Sequence, residues 1–156
     1  MIDVINKFIP SDYSKQVSLD YYVEKLFKVI KLTGEINVLD LGCGRGESQK
    51  NFAELSSKVH WVGLNIESSP EVNSRMEISD DFQSFDRINV PFPDNYFNIV
   101  YSKQVLEHVR YTRELLSEVR RVVKSNGYFI GSTLHLEPFH SPSYWNFTTY
   151  GFSELI

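Results

Sequence analysis

A chain of 156 residues fits one domain and leaves no room for two independent catalytic ones. Hydrophobic residues at 42% against 23% charged exclude a disordered chain, and a net charge of -4 gives no general attraction to phosphate backbones or anionic membranes. Duplex nucleic acid and membrane are therefore not expected as partners. Cys43 is the only cysteine, which excludes an intramolecular disulfide and a multi-cysteine zinc site and points to a reducing, cytoplasmic setting. No apolar run approaches the roughly 18 residues of a membrane span, and no signal peptide or anchor is visible.

From Ser18 to Leu32, apolar residues recur at mostly three- and four-residue spacing, and Ser18 suits an N-cap; this predicts an amphipathic helix, with Gly34 as its stop. Ile36 to Leu41 is a short apolar run that enters Gly42, Cys43, Gly44, Arg45, Gly46, a buried strand followed by a glycine turn. Glu47 to Leu55 is helical in character and Val59 to Leu64 is β-rich, so the four pieces form a crossover unit of a parallel sheet. Phe82 to Phe85 is a weaker third strand, since Asp80, Asp81 and Gln83 dilute it. After the turn Pro91 to Asn95 comes the strand Phe97 to Tyr101. Thr112 to Val123 places Leu115, Leu116, Val119, Val122 and Val123 on one helical face, the cluster Ser125, Asn126, Gly127 ends that helix, and Tyr128 to Thr133 is the fifth strand. The remainder is loop-like until a helix begins at Thr149. This alternation predicts an α/β doubly wound sheet.

The glycine turn carries the chemistry. Glycines at alternate positions after a buried strand let the backbone approach a ligand closely and turn sharply into a helix. The dinucleotide fingerprint is GxGxxG; here the spacing is GxGxG, with Asp40 two residues before the first glycine. A carboxylate there repels a pyrophosphate and attracts an ammonium, which disfavours a nicotinamide oxidoreductase.

With these residues the sequence resembles the class I S-adenosylmethionine-dependent methyltransferases, in the group with a type 11 methyltransferase-like domain. "VLDLGCGxG" covers Val38 to Gly46, "LPFPDxxF" covers Val90 to Phe97, "xVLEHV" covers Gln104 to Val109, and "ELLxExxRVLKPGGxxxxST" covers Glu114 to Thr133. The resemblance spans roughly Leu32 to Thr133. It implies a Rossmann-like, mostly parallel sheet of about five strands in the order 3-2-1-4-5, in a single domain over 1–156 that lacks the family's C-terminal antiparallel hairpin. The fifth strand then lies at an edge with Phe129 and Ile130, and a longer parent chain, a second copy or the N-terminal segment is expected to cover it.

The resemblance also implies roles. Asp40 and the loop of Gly42, Cys43, Gly44 and Gly46 hold the methionine end of S-adenosylmethionine, the carboxylate facing its amino group. The acid that usually binds both ribose hydroxyls falls on Asn65, an uncharged departure. Glu67 is a second candidate for the ribose and suits a solvated loop equally well. Asp86, five residues before Pro91, takes the adenine amino group, and Ser102, Lys103 and Gln104 line the methionine and sulfonium region.

For methyl transfer, an in-line nucleophile is the main demand, and a base is needed only for a hydroxyl or a protonated amine. His108, His135 and His140 are the candidates; His108 suits a packing or hydrogen-bonding role as well. His135 and His140 lie past the fifth strand with Pro138, Phe139, Tyr144 and Trp145, aromatics that suit either a small-molecule pocket or a lid on the core. Gln104, Glu107 and His108 stand at helical i, i+3, i+4 spacing and resemble the metal-binding ExxEH of some methyltransferases, but Gln104 replaces the first acid, so no metal is expected. The expected function is methyl transfer to an oxygen or nitrogen of a small molecule. The tail from His135 to Thr148 is similar to methyltransferases of sugar or cell-surface polysaccharide pathways. The alternative is a noncatalytic module of the same fold, which Asn65 favours.

Overall fold

The computed structural model describes residues 18–30, 34–66, 81–134 and 142–156. Ser18 caps the first helix, α1 (Leu19–Val29), its hydroxyl accepting from the Tyr21 amide at 3.3 Å. β1 (Ile36–Leu41), α2 (Ser48–Leu55) and β2 (Val59–Ile66) form the crossover that the sequence predicts. β3 (Phe82–Phe85), β4 (Phe97–Lys103), a 3₁₀ turn (Leu106–His108), α3 (Thr112–Val122), β5 (Val123–Ser132) and α4 (Thr149–Ser153) follow.

The five strands form one sheet in the order β3-β2-β1-β4-β5, every neighbouring pair parallel. β1 is central, and its residues divide by alternation between two cores. Leu39 and Leu41 pack with Phe97, Val100, Leu115, Val119 and Val122 on the α3 side. Ile36 and Val38 pack with Val23, Phe52, Trp61 and Tyr101 on the side of α1 and α2. Asp40 shares the parity of Val38, so its carboxylate stands on the α1 and α2 side.

Two expectations need correction. The fifth strand starts at Val123 rather than Tyr128, because Ser125, Asn126 and Gly127 do not end the chain's pairing with β4 but form a bulge within it. Phe97 pairs with Val123 and Ile99 with Tyr128, so the irregularity falls between them. A Cβ on Gly127 would stand 3.0 Å from the Asn98 carbonyl, so this strand passes too close to β4 for a side chain. The second correction concerns Gln104, Glu107 and His108, which share no helical face. Gln104 has φ +56 and precedes a single 3₁₀ turn that contains only the other two.

The motifs around Pro91 and Arg121 are joined by one guanidinium. Arg121 makes a bidentate pair with Glu118, Nε to Oε1 at 2.9 Å and Nη2 to Oε2 at 2.7 Å. It also donates to the carbonyls of Val90 at 2.9 Å and Phe92 at 2.8 Å and to Asp94 Oδ1 at 2.8 Å. Glu118 in turn accepts from the Val90 amide at 3.1 Å. The turn that leads into β4 is thereby clamped to α3.

Candidate active site

β1 ends in a loop whose shape only glycine tolerates at its corners. Gly42 and Gly46 have φ +77 and +83, the left-handed region. A Cβ on Gly42 would meet Val105 Cγ2 at 2.3 Å, and one on Gly46 would meet the Phe82 ring at 2.5 Å. The Gly42 amide donates to the Leu64 carbonyl at 2.7 Å, which ties the loop to the end of β2. A cleft of about 680 Å³ opens beside this loop, lined by Asp20, Asp40, Cys43, Arg45, Ser48 and Lys103 among others. That volume lies within the range of about 300–1,000 Å³ usual for small-molecule sites, at the carboxyl ends of the strands where such sheets bind ligands. A second depression of about 540 Å³ holds Glu35, His60 and Tyr96 from the opposite strand ends and lacks the glycine loop.

Asp40 is 3% exposed and faces this cleft. Its Oδ2 accepts a hydrogen bond from the Ser48 hydroxyl, and Ser48 Oγ accepts from Trp61 Nε1 at 2.9 Å. Sequence reasoning missed both Ser48 and Trp61. It also missed Asp20, which α1 carries to the cleft: the Tyr101 hydroxyl donates to Asp20 Oδ1 at 3.2 Å, and Lys103 Nζ lies 3.6 Å from Oδ2. Burial first, and then the Asp20 and Asp40 carboxylates, hold the Tyr101 phenol above its ordinary value, so it stays a donor. No spacing signal connects residues 20 and 101; the only hint was an acid in the first turn of α1.

The remaining predicted residues divide between the strand ends and the turn after β4. Asn65 is near the end of β2, half-buried, with Oδ1 accepting from the Ile66 amide at 2.8 Å. Asp86 follows β3, and its carboxylate accepts from the Ile88 amide at 2.9 Å, the Asn89 amide at 2.7 Å and the Asn89 side chain. Those bonds, the Asn89 side chain's foremost, hold its carboxyl below the ordinary value. Ser102 is buried with its Oγ unpartnered. The Gln104 amide donates to the Ser132 carbonyl at 2.9 Å. His108 Nδ1 donates to the Pro142 carbonyl at 2.8 Å. Glu107 is fully buried; Oε2 accepts from Thr133 at 2.9 Å and Oε1 has no partner. Among the described residues, no group of three or more His, Cys, Asp or Glu gathers as a metal site would require. Glu67, His135 and His140 lie outside the described residues.

Residues 39–131 match the methyltransferase-domain family, and the chain belongs to it. Its group is that of the class I S-adenosylmethionine-dependent methyltransferases. An uncharacterized protein of Methanocaldococcus jannaschii is 30% identical over 137 residues, 82% of this chain and 58% of that protein. A sterol 24-C-methyltransferase of Gibberella zeae is 33% identical over 101 residues, 60% of this chain and 26% of that one. A crystal structure of a Pyrococcus horikoshii protein superposes with a TM-score of 0.60 at 26% identity, covering 76% of this chain and 57% of that chain. The chain thus spans between about a quarter and three fifths of the length of these relatives. No helix among the described residues is long and apolar enough to cross a membrane.

Proposed function

We propose that the cleft beside the glycine loop binds S-adenosylmethionine and that the protein transfers a methyl group from it to a small-molecule acceptor. The observation that carries this reading is the buried Asp40 carboxylate at the carboxyl end of β1, beside a loop that approaches a ligand closely because Gly42 and Gly46 have no side chain. A carboxylate in that place suits an ammonium and opposes a pyrophosphate. When bound, the cofactor supplies an activated methyl group, so this chain's residues need only bind, orient and, for some acceptors, take up a proton. Asp40 and the loop bind the methionine end. Asn65, with Glu67 beyond it, serves the ribose; Asp86 serves the adenine amino group. Ser102 and Lys103 end β4, Gln104 follows them, and the three serve the methionine and sulfonium region.

For a hydroxyl or a protonated amine as acceptor, a base must receive the proton. His108, His135 and His140 are the imidazoles assigned to this role. The aromatic tail around Tyr144 and Trp145, 56% and 45% exposed, suits a sugar or another flat, hydroxylated molecule. A carbon acceptor is the second reading, supported by the sterol 24-C-methyltransferase among the relatives. A cofactor-binding module without turnover is the remaining alternative, favoured by the missing charge at Asn65.

Calorimetric titration tests the reading. S-adenosylhomocysteine is expected to bind and NAD to be silent; the reverse result would overturn the assignment. Release of S-adenosylhomocysteine from S-adenosylmethionine in the presence of candidate acceptors then distinguishes an enzyme from a binding module.

A further inference from the structure

Asp40 does not stand alone in the cleft, and the way it is held has a consequence for ligand selectivity. Ser48 is the first residue of α2 and 9% exposed. Its hydroxyl has one proton. Trp61 Nε1 occupies an acceptor position of Ser48 Oγ at 2.9 Å, so the Ser48 proton is directed to Asp40 Oδ2, with which it is bonded. Trp61 is itself locked in place. Its ring meets Phe82 edge-on, with centroids 5.3 Å apart. Its Cη2 lies 2.5 Å from where a Cβ on Gly63 would be and 3.4 Å from that of Gly46. The indole fits against β2 because residue 63 is glycine, and it lies in ordinary contact distance of the loop at Gly46. The donor chain therefore runs from β2 through α2 to the end of β1, and it is buried at Asp40, Ser48 and Trp61 alike.

A carboxylate held by a charge-assisted hydrogen bond loses its rotational freedom before a ligand arrives. We propose that Trp61 and Ser48 are positioning residues that fix the Asp40 carboxylate for the amino group of the cofactor's methionine end. The relay acts on that end alone and contributes nothing to the adenosine end. This inference rests on the reading of Asp40 as the amino-group partner.

Two ligands separate the ends. S-adenosylhomocysteine has the amino-acid end; 5′-methylthioadenosine shares its adenosine and thioether and lacks it. Ser48→Ala is expected to weaken S-adenosylhomocysteine by about fivefold to tenfold, near 1 kcal/mol, and to change 5′-methylthioadenosine by less than about twofold. Ser48→Thr, which restores the hydroxyl, is expected to bring the first affinity back to within about threefold of the parent. Trp61→Phe, which keeps an aromatic ring and deletes the donor, should shift the ratio of the two affinities in the same direction. Equal losses for both ligands would mean that Ser48 only supports the fold, and the inference would fall. It would also fall if Asp40→Asn were selective for S-adenosylhomocysteine while Ser48→Ala left both ligands unaffected; the Asp40 reading would then survive. Should Asp40→Asn itself show no selectivity, that reading and the relay would both be overturned.

Discussion

Asp40 and Asn65 occupy the carboxyl ends of neighbouring strands, β1 and β2, and differ in the charge they offer a ligand. Asn65 already uses Oδ1 as an acceptor for the Ile66 amide, and a carboxylate would keep that bond. Asn65→Asp is therefore expected to tighten S-adenosylhomocysteine by up to about tenfold or leave it unchanged, because a charged acceptor strengthens a bond to a ribose hydroxyl. Marked weakening in a titration would show that the Asn65 amide is needed as a donor. Asp40 was legible in the sequence because an acid two residues before a GxGxG turn has a physical meaning by itself. Ser48 and Trp61 were not, since their contact spans 13 residues and exists only once the β1-α2-β2 crossover has formed. Asp20 and Tyr101 are 81 residues apart, and no local pattern could join them.

At the scale of elements, β1 and β3 followed from apolar runs and turn residues and the order of the sheet from the family resemblance, whereas the start of β5 did not. Ser125, Asn126 and Gly127 look like a stop from their composition, yet pairing with β4 carries the chain through them as a bulge. The glycine loop gives a sharper test. Gly42→Ala places a side chain at φ +77 and a Cβ 2.3 Å from Val105 Cγ2, and Val105 packs against the core. The expected loss of stability is about 2–4 kcal/mol from strain and overpacking together. In denaturant titrations, Val105→Ala in the same chain should recover the overpacking part and leave the backbone part. Full recovery would mean that the positive φ costs nothing there. The clamp between α3 and the turn before β4 is a second such joint. Arg121→Ala is expected to lower stability by about 1–3 kcal/mol, since it leaves two backbone carbonyls without their side-chain donor and Glu118 with the Val90 amide alone. A loss below a few tenths would show that water replaces the guanidinium freely.

For the molecule as a whole, the same clamp sets a direction for stability against pH. The Arg121 guanidinium holds the Glu118 carboxyl below its ordinary value of 4.5, with the Val90 amide acting the same way against the effect of burial. Asp86, near the same turn, is held below its ordinary 3.8 by the Asn89 side chain and the amides of its own loop. Between the lowered folded values and the ordinary ones, the unfolded chain binds more protons than the native one, so stability rises with pH across that window. The contribution of Glu118 is accordingly complete above about 4.5, and it is lost as the pH falls through the lowered folded value. Thermal unfolding followed from neutral pH downward should show Tm falling below that point. In Glu118→Gln the fall should be shallower, because the variant removes a group whose protonation differs between the two states. Asp86→Asn should reduce it further at still lower pH, in the order of the two ordinary values. An identical acid slope in parent and double variant would place the acid sensitivity of the fold elsewhere than in this turn.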